Sequence, residues 1–116
     1  MTRPLFIAEV KTVSPFGFQA DESWEERFEL ANKYGDWVAV HVNSRLGGSV
    51  ELLERARKLT TKPLVAKGVE RRQIEACLSA GANYIHTSGY PRPGGIFDPG
   101  PFLSSNLWEP YSIWML

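Results

Sequence analysis

Three times in succession the chain passes from a short apolar run, through a turn, into a segment whose apolar residues recur at helical spacing, and a fourth apolar run then follows. In the first unit, residues 6–13 lead through Ser14-Pro15-Phe16-Gly17 to Ser23, which precedes Glu26 by the spacing of a capping box. Trp24, Phe28 and Ala31 mark the inward side of this helix, and Gly35 closes it. In the second, residues 37–42 are apolar on both faces, as a central parallel strand is, and 43–48 read as a flexible loop. Ser49 then caps a helix whose stripe is Leu52, Leu53, Ala56 and Leu59. In the third, 63–67 form the strand and Gly68-Val69 the turn, and a helix over about 70–80 turns Ile74, Cys77 and Leu78 inward before Gly81. A strand at about 83–87 opens the fourth unit. Short strands alternating with helices of this size predict a parallel α/β sheet with right-handed crossovers.

From Ser88 the rhythm breaks. Residues 88–101 are too rich in proline and glycine for a helix or a central strand. Residues 102–116 form an aromatic tail in which Glu109 is the one charged residue, a composition that predicts burial against apolar surface. The organisation expected is therefore a βα domain over 1–101 and an apolar tail over 102–116, packed on that domain or on a partner.

The first strand carries the ionisable groups that matter most. Alternation places Glu9 and Lys11 on one face with Ile7, while Ala8 and Val10 point the other way. Alone, such a pair reads as a solvated sheet edge or a structural salt bridge. In a parallel α/β sheet, however, ligands meet the carboxyl ends of the strands, and Lys11 and Lys67 both stand at such ends. A lysine ending a buried strand is costly to desolvate unless it faces a cleft or an acid. The expected division of labour has Glu9 holding the charge on Lys11, which anchors a carboxylate or phosphate, while Lys67 serves as an acid. Lys67 reads equally well as a lysine extending its amine to water.

Other signals are weaker. Gly47-Gly48-Ser49 could offer backbone N–H groups to an anion or simply cap a helix. Gly94-Gly95 lacks the lysine and hydroxyl residue of a P-loop. His41 and His86, read as lying on neighbouring strands, lack the carboxylate or thiolate cluster of a metal centre and are expected to be packed or hydrogen-bonded. Cys77 falls on an inward stripe, where it is no nucleophile. No metal or cofactor is expected.

Charge and composition restrict the partners. Lys and Arg number 13 and so do Asp and Glu, so no field of one sign draws the chain to nucleic acid or an anionic membrane. The N-terminus shows no secretion-signal pattern, and no apolar run is long enough to span a bilayer. A lone cysteine suits a reducing compartment, and a cytoplasmic location is expected.

Several motifs together resemble the indole-3-glycerol-phosphate synthase family of tryptophan biosynthesis. Ile7-Ala8-Glu9-Val10-Lys11-Thr12-Val13-Ser14-Pro15 is similar to the family's first-strand pattern Ile-Ala-Glu-x-Lys-x-x-Ser-Pro. Gly48-Ser49 resembles the end of its second loop, and Pro63-Leu64-Val65-Ala66-Lys67 with Gln73-Ile74 and Ala80-Gly81-Ala82 resembles its third strand and helix. The resemblance covers about residues 5–88. Two departures stand out: Gly68-Val69 follows Lys67 where the family has Asp-Phe, and Leu46 stands where an aromatic residue is usual.

The resemblance implies an α/β fold of the (βα)4 type, a parallel-stranded half TIM barrel, to which the composition adds an irregular aromatic C-terminal tail. It implies a carboxy-lyase that closes the indole ring of 1-(2-carboxyphenylamino)-1-deoxyribulose 5-phosphate with loss of carbon dioxide and water. Lys67 matches the general acid, Lys11 the lysine that contacts substrate anions and assists proton transfer, and Glu9 the acid that orients them. Ser14, Lys11, Gly48 and Ser49 match substrate-binding positions. A whole barrel takes roughly 200 residues or more, and the family's general base and phosphate loops lie in its second half. The expected partners are thus a phosphorylated small molecule and a second copy or another subunit that completes the barrel. The alternative is an inactive module that binds or senses a phosphorylated or carboxylated small molecule.

Overall fold

The computed structural model describes residues 5–13 and 21–87, together with the backbone of three further strands at 96–98, 105–107 and 111–115. Strands β1 (Leu5–Val10), β2 (Trp37–His41), β3 (Leu64–Val69) and β4 (Tyr84–Thr87) lie side by side and parallel. Helices α1 (Trp24–Tyr34), α2 (Val50–Leu59) and α3 (Ile74–Ser79) make the crossovers. The α/β repeat read from the sequence is present. Its helix starts are local chemistry: Ser23 Oγ accepts from the Glu26 N–H at 3.2 Å and Ser49 Oγ from the Leu52 N–H at 3.1 Å, each satisfying an end donor.

Alternation along the strands sorts the core into two faces. Ala8, Val10, Val38, Val40, Leu64, Ala66 and Ile85 pack with Trp24, Phe28, Ala31, Leu53, Ala56, Ile74 and Cys77, so all three helices cover one face. The other face holds Ile7, Ala39 and Val65, fully buried, with Leu5, Trp37 and Tyr84 against them. Trp37 and Tyr84 stack there with centroids 4.2 Å apart.

Three more strands extend the sheet. β5 (Ile96–Asp98) runs antiparallel to β4, β6 (Ser105–Leu107) antiparallel to β5, and β7 (Tyr111–Met115) parallel to β1. The order is β6-β5-β4-β3-β2-β1-β7, which puts β6 and β7 at opposite ends. Residues 108–110 alone join them, and the step from Leu107 to Tyr111 reaches at most about 14 Å. Six strand spacings in a flat sheet come to about 29 Å. The sheet is therefore rolled, its ends drawn together, and the helix-free face is the inner one.

Some expectations are corrected by these contacts. The third strand runs on through Val69, with Gly68 in the left-handed region (φ 73°) and the pairing to β4 shifting register between Lys67 and Val69. The stretch read as a turn is thus a bulge inside the strand. The following helix starts as a 3-10 turn at Arg71–Gln73 and becomes α-helical only at Ile74. The second loop, read as flexible, holds a 3-10 turn at Ser44–Leu46, capped by Asn43 Oδ1, which accepts from the Arg45 N–H. Leu59 and Leu78, placed on inward stripes, are exposed. The tail read as irregular contributes β6, on the edge of β5, and β7, on the edge of β1, each edge offering backbone partners to the added strand. No helix among the described residues is long and apolar enough to cross a membrane.

Candidate functional site

The strand register lines up two rows across the inner face. Glu9, Ala39, Val65 and Tyr84 are level with one another, and one pleat nearer the carboxyl ends His41, Lys67 and His86 are level, with Lys11 next in β1 beyond the paired residues. Each of the four parallel strands ends on this face in a basic side chain. The histidines are not neighbours: β3 lies between β2 and β4, and Lys67 between the two rings. Strand order is set by tertiary packing, of which the sequence carries no direct mark.

Glu9 is the hub. Its Oε2 accepts from Lys67 Nζ at 2.7 Å, and its Oε1 stands 3.7 Å from Lys11 Nζ. The expectation pairs Glu9 with Lys11; the carboxylate meets both lysines, and its shorter contact is to Lys67. Glu9 is 5% exposed, against 17% for Lys11 and 20% for Lys67, so the ammoniums reach solvent while the carboxylate does not. Oε1 is buried and has no hydrogen-bond partner among the described residues. Such an atom forgoes the bond that normally offsets desolvation.

The pair spans a whole strand, since β2 lies between β1 and β3. It closes over Ala39, level with Glu9 and fully buried, whose methyl group leaves room for the lysine to lean across. His41 stands beside this bridge, 6% exposed. Its Nδ1 accepts from the Asn43 N–H at 3.3 Å, which leaves the proton of the neutral ring on Nε2. Its pKa is lowered from 6.5 to about 4, chiefly by burial; Glu9 pulls it up, and Lys67, Lys11 and His86 add to the lowering. Gly68 packs on the ring: a Cβ there would fall 2.6 Å from His41 Cε1.

The remaining sequence-derived residues separate from this cluster. Ser14 lies outside the described residues. Gly48 is buried against the end of β2, where a Cβ would meet the His41 carbonyl oxygen at 2.1 Å, and Ser49 is used as a cap. Both line a cleft of about 230 Å³ with Asn43, Ser44, Glu70 and Arg72. No hydrogen bond or ion pair among the described residues joins them to the lysines. A larger cavity, about 500 Å³, lies on the helical side along α1 with Phe28 and Leu59, away from the ionisable cluster. Burial pushes the Cys77 thiol up to about 11, as its inward position predicts.

Sequence reasoning missed Ala39, Gly68 and the orientation of His41. A signal existed: counting back two residues from His41 and from Lys67 gives Ala39 and Val65, both small or apolar, beneath a basic strand end. Chemically, two ammoniums share one carboxylate, with neutral imidazole alongside. The cluster has a surplus positive charge and, among the described residues, a buried acceptor without a donor. No protein-family model matches the chain, and no curated protein matches it.

Proposed function

We propose that this chain is a half barrel of indole-3-glycerol-phosphate synthase lineage, a carboxy-lyase whose strand-end lysines act on 1-(2-carboxyphenylamino)-1-deoxyribulose 5-phosphate when further strands complete the site. The observation that carries this reading is the convergence of Lys67 and Lys11 on Glu9 across β2. The rolled sheet with helices on its outer face agrees with barrel ancestry. In the reaction Lys67 donates a proton to the ketone oxygen as the ring carbon attacks. Lys11 holds the ring carboxylate until it leaves as carbon dioxide, returning its electron pair to the ring, and the hydroxyl of the former ketone carbon then leaves with a proton from the adjacent methylene as water. Glu9 keeps both amines aligned.

A second reading draws on a different observation. β7 pairs with β1 and β5 with β4, so both outer edges of the parallel strands are occupied within the chain. Added barrel strands would have to displace them. A self-contained sheet of this kind suits a module that binds a phosphorylated or carboxylated small molecule without turning it over.

The purified protein, incubated with the substrate, is expected to produce fluorescent indole-glycerol phosphate, with a loss of about 100-fold or more in Lys67→Ala. Equal silence of both proteins at high concentration removes the lyase reading. Calorimetric titration with the substrate then decides the second: heat that disappears in Lys67→Ala supports the binding module, and no heat removes it.

A further inference from the structure

We propose that His41 is a substrate-contacting hydrogen-bond donor, presenting the Nε2–H of a neutral imidazole to a carbonyl or hydroxyl oxygen of the ligand held between Lys11 and Lys67. The inference rests on the anion-binding reading of the lysine cluster and assigns the group that recognises the uncharged oxygen beside the anion.

Four observations carry it. The register sets His41 level with Lys67 on the next strand, with Lys11 on the strand to the other side, so the ring stands on the strand between the two lysines that meet at Glu9. The Asn43 N–H occupies Nδ1, and this is the ring's one hydrogen bond among the described residues, which leaves Nε2–H without a protein acceptor there. Gly68, at φ 73°, lies so close that an added Cβ would be 2.6 Å from Cε1 and 3.2 Å from Nε2, so the bulge holds the ring plane in place. Finally, the ring stays uncharged in a site that already holds two ammoniums. Burial is the main cause, Lys67, Lys11 and His86 act with it, and Glu9 acts against it.

A charged imidazolium would add a third positive charge and compete with the lysines for the same anion. A neutral N–H adds direction without charge. It suits an oxygen that becomes more negative during reaction, since a weakly acidic donor polarises that oxygen without surrendering its proton to it. Lys67, one strand over, remains the group that transfers the proton. The ligand class implied is a carboxylate- or phosphate-bearing molecule with a carbonyl or hydroxyl oxygen close to the anionic group.

The probe is the reduced, unreactive alcohol counterpart of the substrate, 1-(2-carboxyphenylamino)-1-deoxyribitol 5-phosphate, with inorganic phosphate as the comparison. Nitrogen-detected magnetic resonance of histidine-labelled protein is expected to show His41 protonated on Nε2 before addition, and its Nε2 signal moving with the alcohol but not with phosphate. His41→Asn, which retains a group near Nδ1 only, is expected to weaken binding of the alcohol about tenfold, the equivalent of 1.4 kcal/mol. His41→Gln, whose amide reaches the Nε2 position, should restore it to within about threefold. A proton found on Nδ1, or an Nε2 signal unmoved at saturation, overturns the proposal even where a variant fails to fold. Binding that depends on Lys67 but is equal in wild type and His41→Asn overturns it while sparing the site. No binding by the wild type removes the anion site and this inference together.

Discussion

The two ends of the same parallel strands treat their half-buried cations in opposite ways. Where the strands begin, Arg57 and Lys62 are each held by several acceptors. The Arg57 guanidinium donates to the carbonyls of Gly81, Thr60 and Lys62 and to Asn83 Oδ1, and Lys62 Nζ donates to the carbonyls of Asn32 and Gly35. Asn83 Oδ1 also accepts from the Leu64 N–H, which ties the latch to β3. Where the strands finish, Lys11 and Lys67 share one carboxylate, and one of its oxygens lacks a hydrogen bond among the described residues. Saturation locks a structure; an unmet donor or acceptor in a placed cluster leaves something for a ligand to do.

The strongest test of this contrast is at the saturated end. Arg57→Ala removes donors to four acceptors and leaves loop carbonyls short of partners. Denaturant unfolding is expected to show a loss of about 3 kcal/mol, because bonds to charged groups are the costly ones to forfeit. Ligand titration of the folded fraction should be unchanged. A stable Arg57→Ala protein with impaired binding would invert the assignment of the two ends.

Next in size is Ala39→Leu. The larger side chain enters the space over which Lys67 reaches Glu9, and overpacking alone costs about 2 kcal/mol. Unlike Arg57→Ala, this change is expected to abolish anion binding as well as lower stability. Retention of full binding in a folded Ala39→Leu protein would show that the bridge across β2 is unnecessary to the site.

How much of this contrast was legible in the sequence follows from the range of the forces involved. The caps at Ser23 and Ser49 and the helix stripes are short-range chemistry, and they lie where the pattern places them. Glu9 and Lys11 share a face because strand alternation is local, and Lys67 joins them because it too ends a strand. Strand order is tertiary, so the separation of His41 from His86 by β3 left no local mark. Arg57 and Lys62 left no local mark for the same reason: their acceptors stand between 3 and 30 residues away in sequence, and all but Asn83 Oδ1 are main-chain carbonyls, which any residue supplies. The bulge at Gly68 reads locally as a turn, since a positive φ favours glycine in both.

The pH dependence of stability probes His41 separately. Its folded pKa, near 4, lies below the 6.5 of an unperturbed imidazole, so between those values the unfolded chain binds a proton that the native chain refuses. This contribution is complete above about pH 6.5, declines as pH falls and stops declining near pH 4. The loss across that window is on the order of 3 kcal/mol. Wild type and His41→Gln, unfolded in denaturant at a series of pH values, should therefore diverge toward acid, with the wild type losing more. Parallel curves would mean that the ring titrates alike in both states and is not buried beside the lysines as described.

The smallest effect on stability belongs to Lys11→Met, and it separates the two ends most cleanly. Lys11 is 3.7 Å from Glu9 and makes no hydrogen bond to it, while Lys67 has its own contact at 2.7 Å, on the other carboxylate oxygen. Removing Lys11 forfeits a weak attraction to Glu9 and relieves its repulsion from Lys67, and these two changes oppose each other. Stability is expected to change by less than about 1 kcal/mol, the scale of a loosely paired, partly solvated ion pair. The surplus positive charge is lost outright, so affinity for a carboxylate- or phosphate-bearing ligand should fall at least tenfold, and its salt dependence should weaken with it. An equal and large loss of stability in Lys11→Met and Arg57→Ala would mean that Lys11 is as deeply built into the fold as the arginine. The carboxyl ends of the strands would then be a second structural latch rather than a place prepared for a ligand.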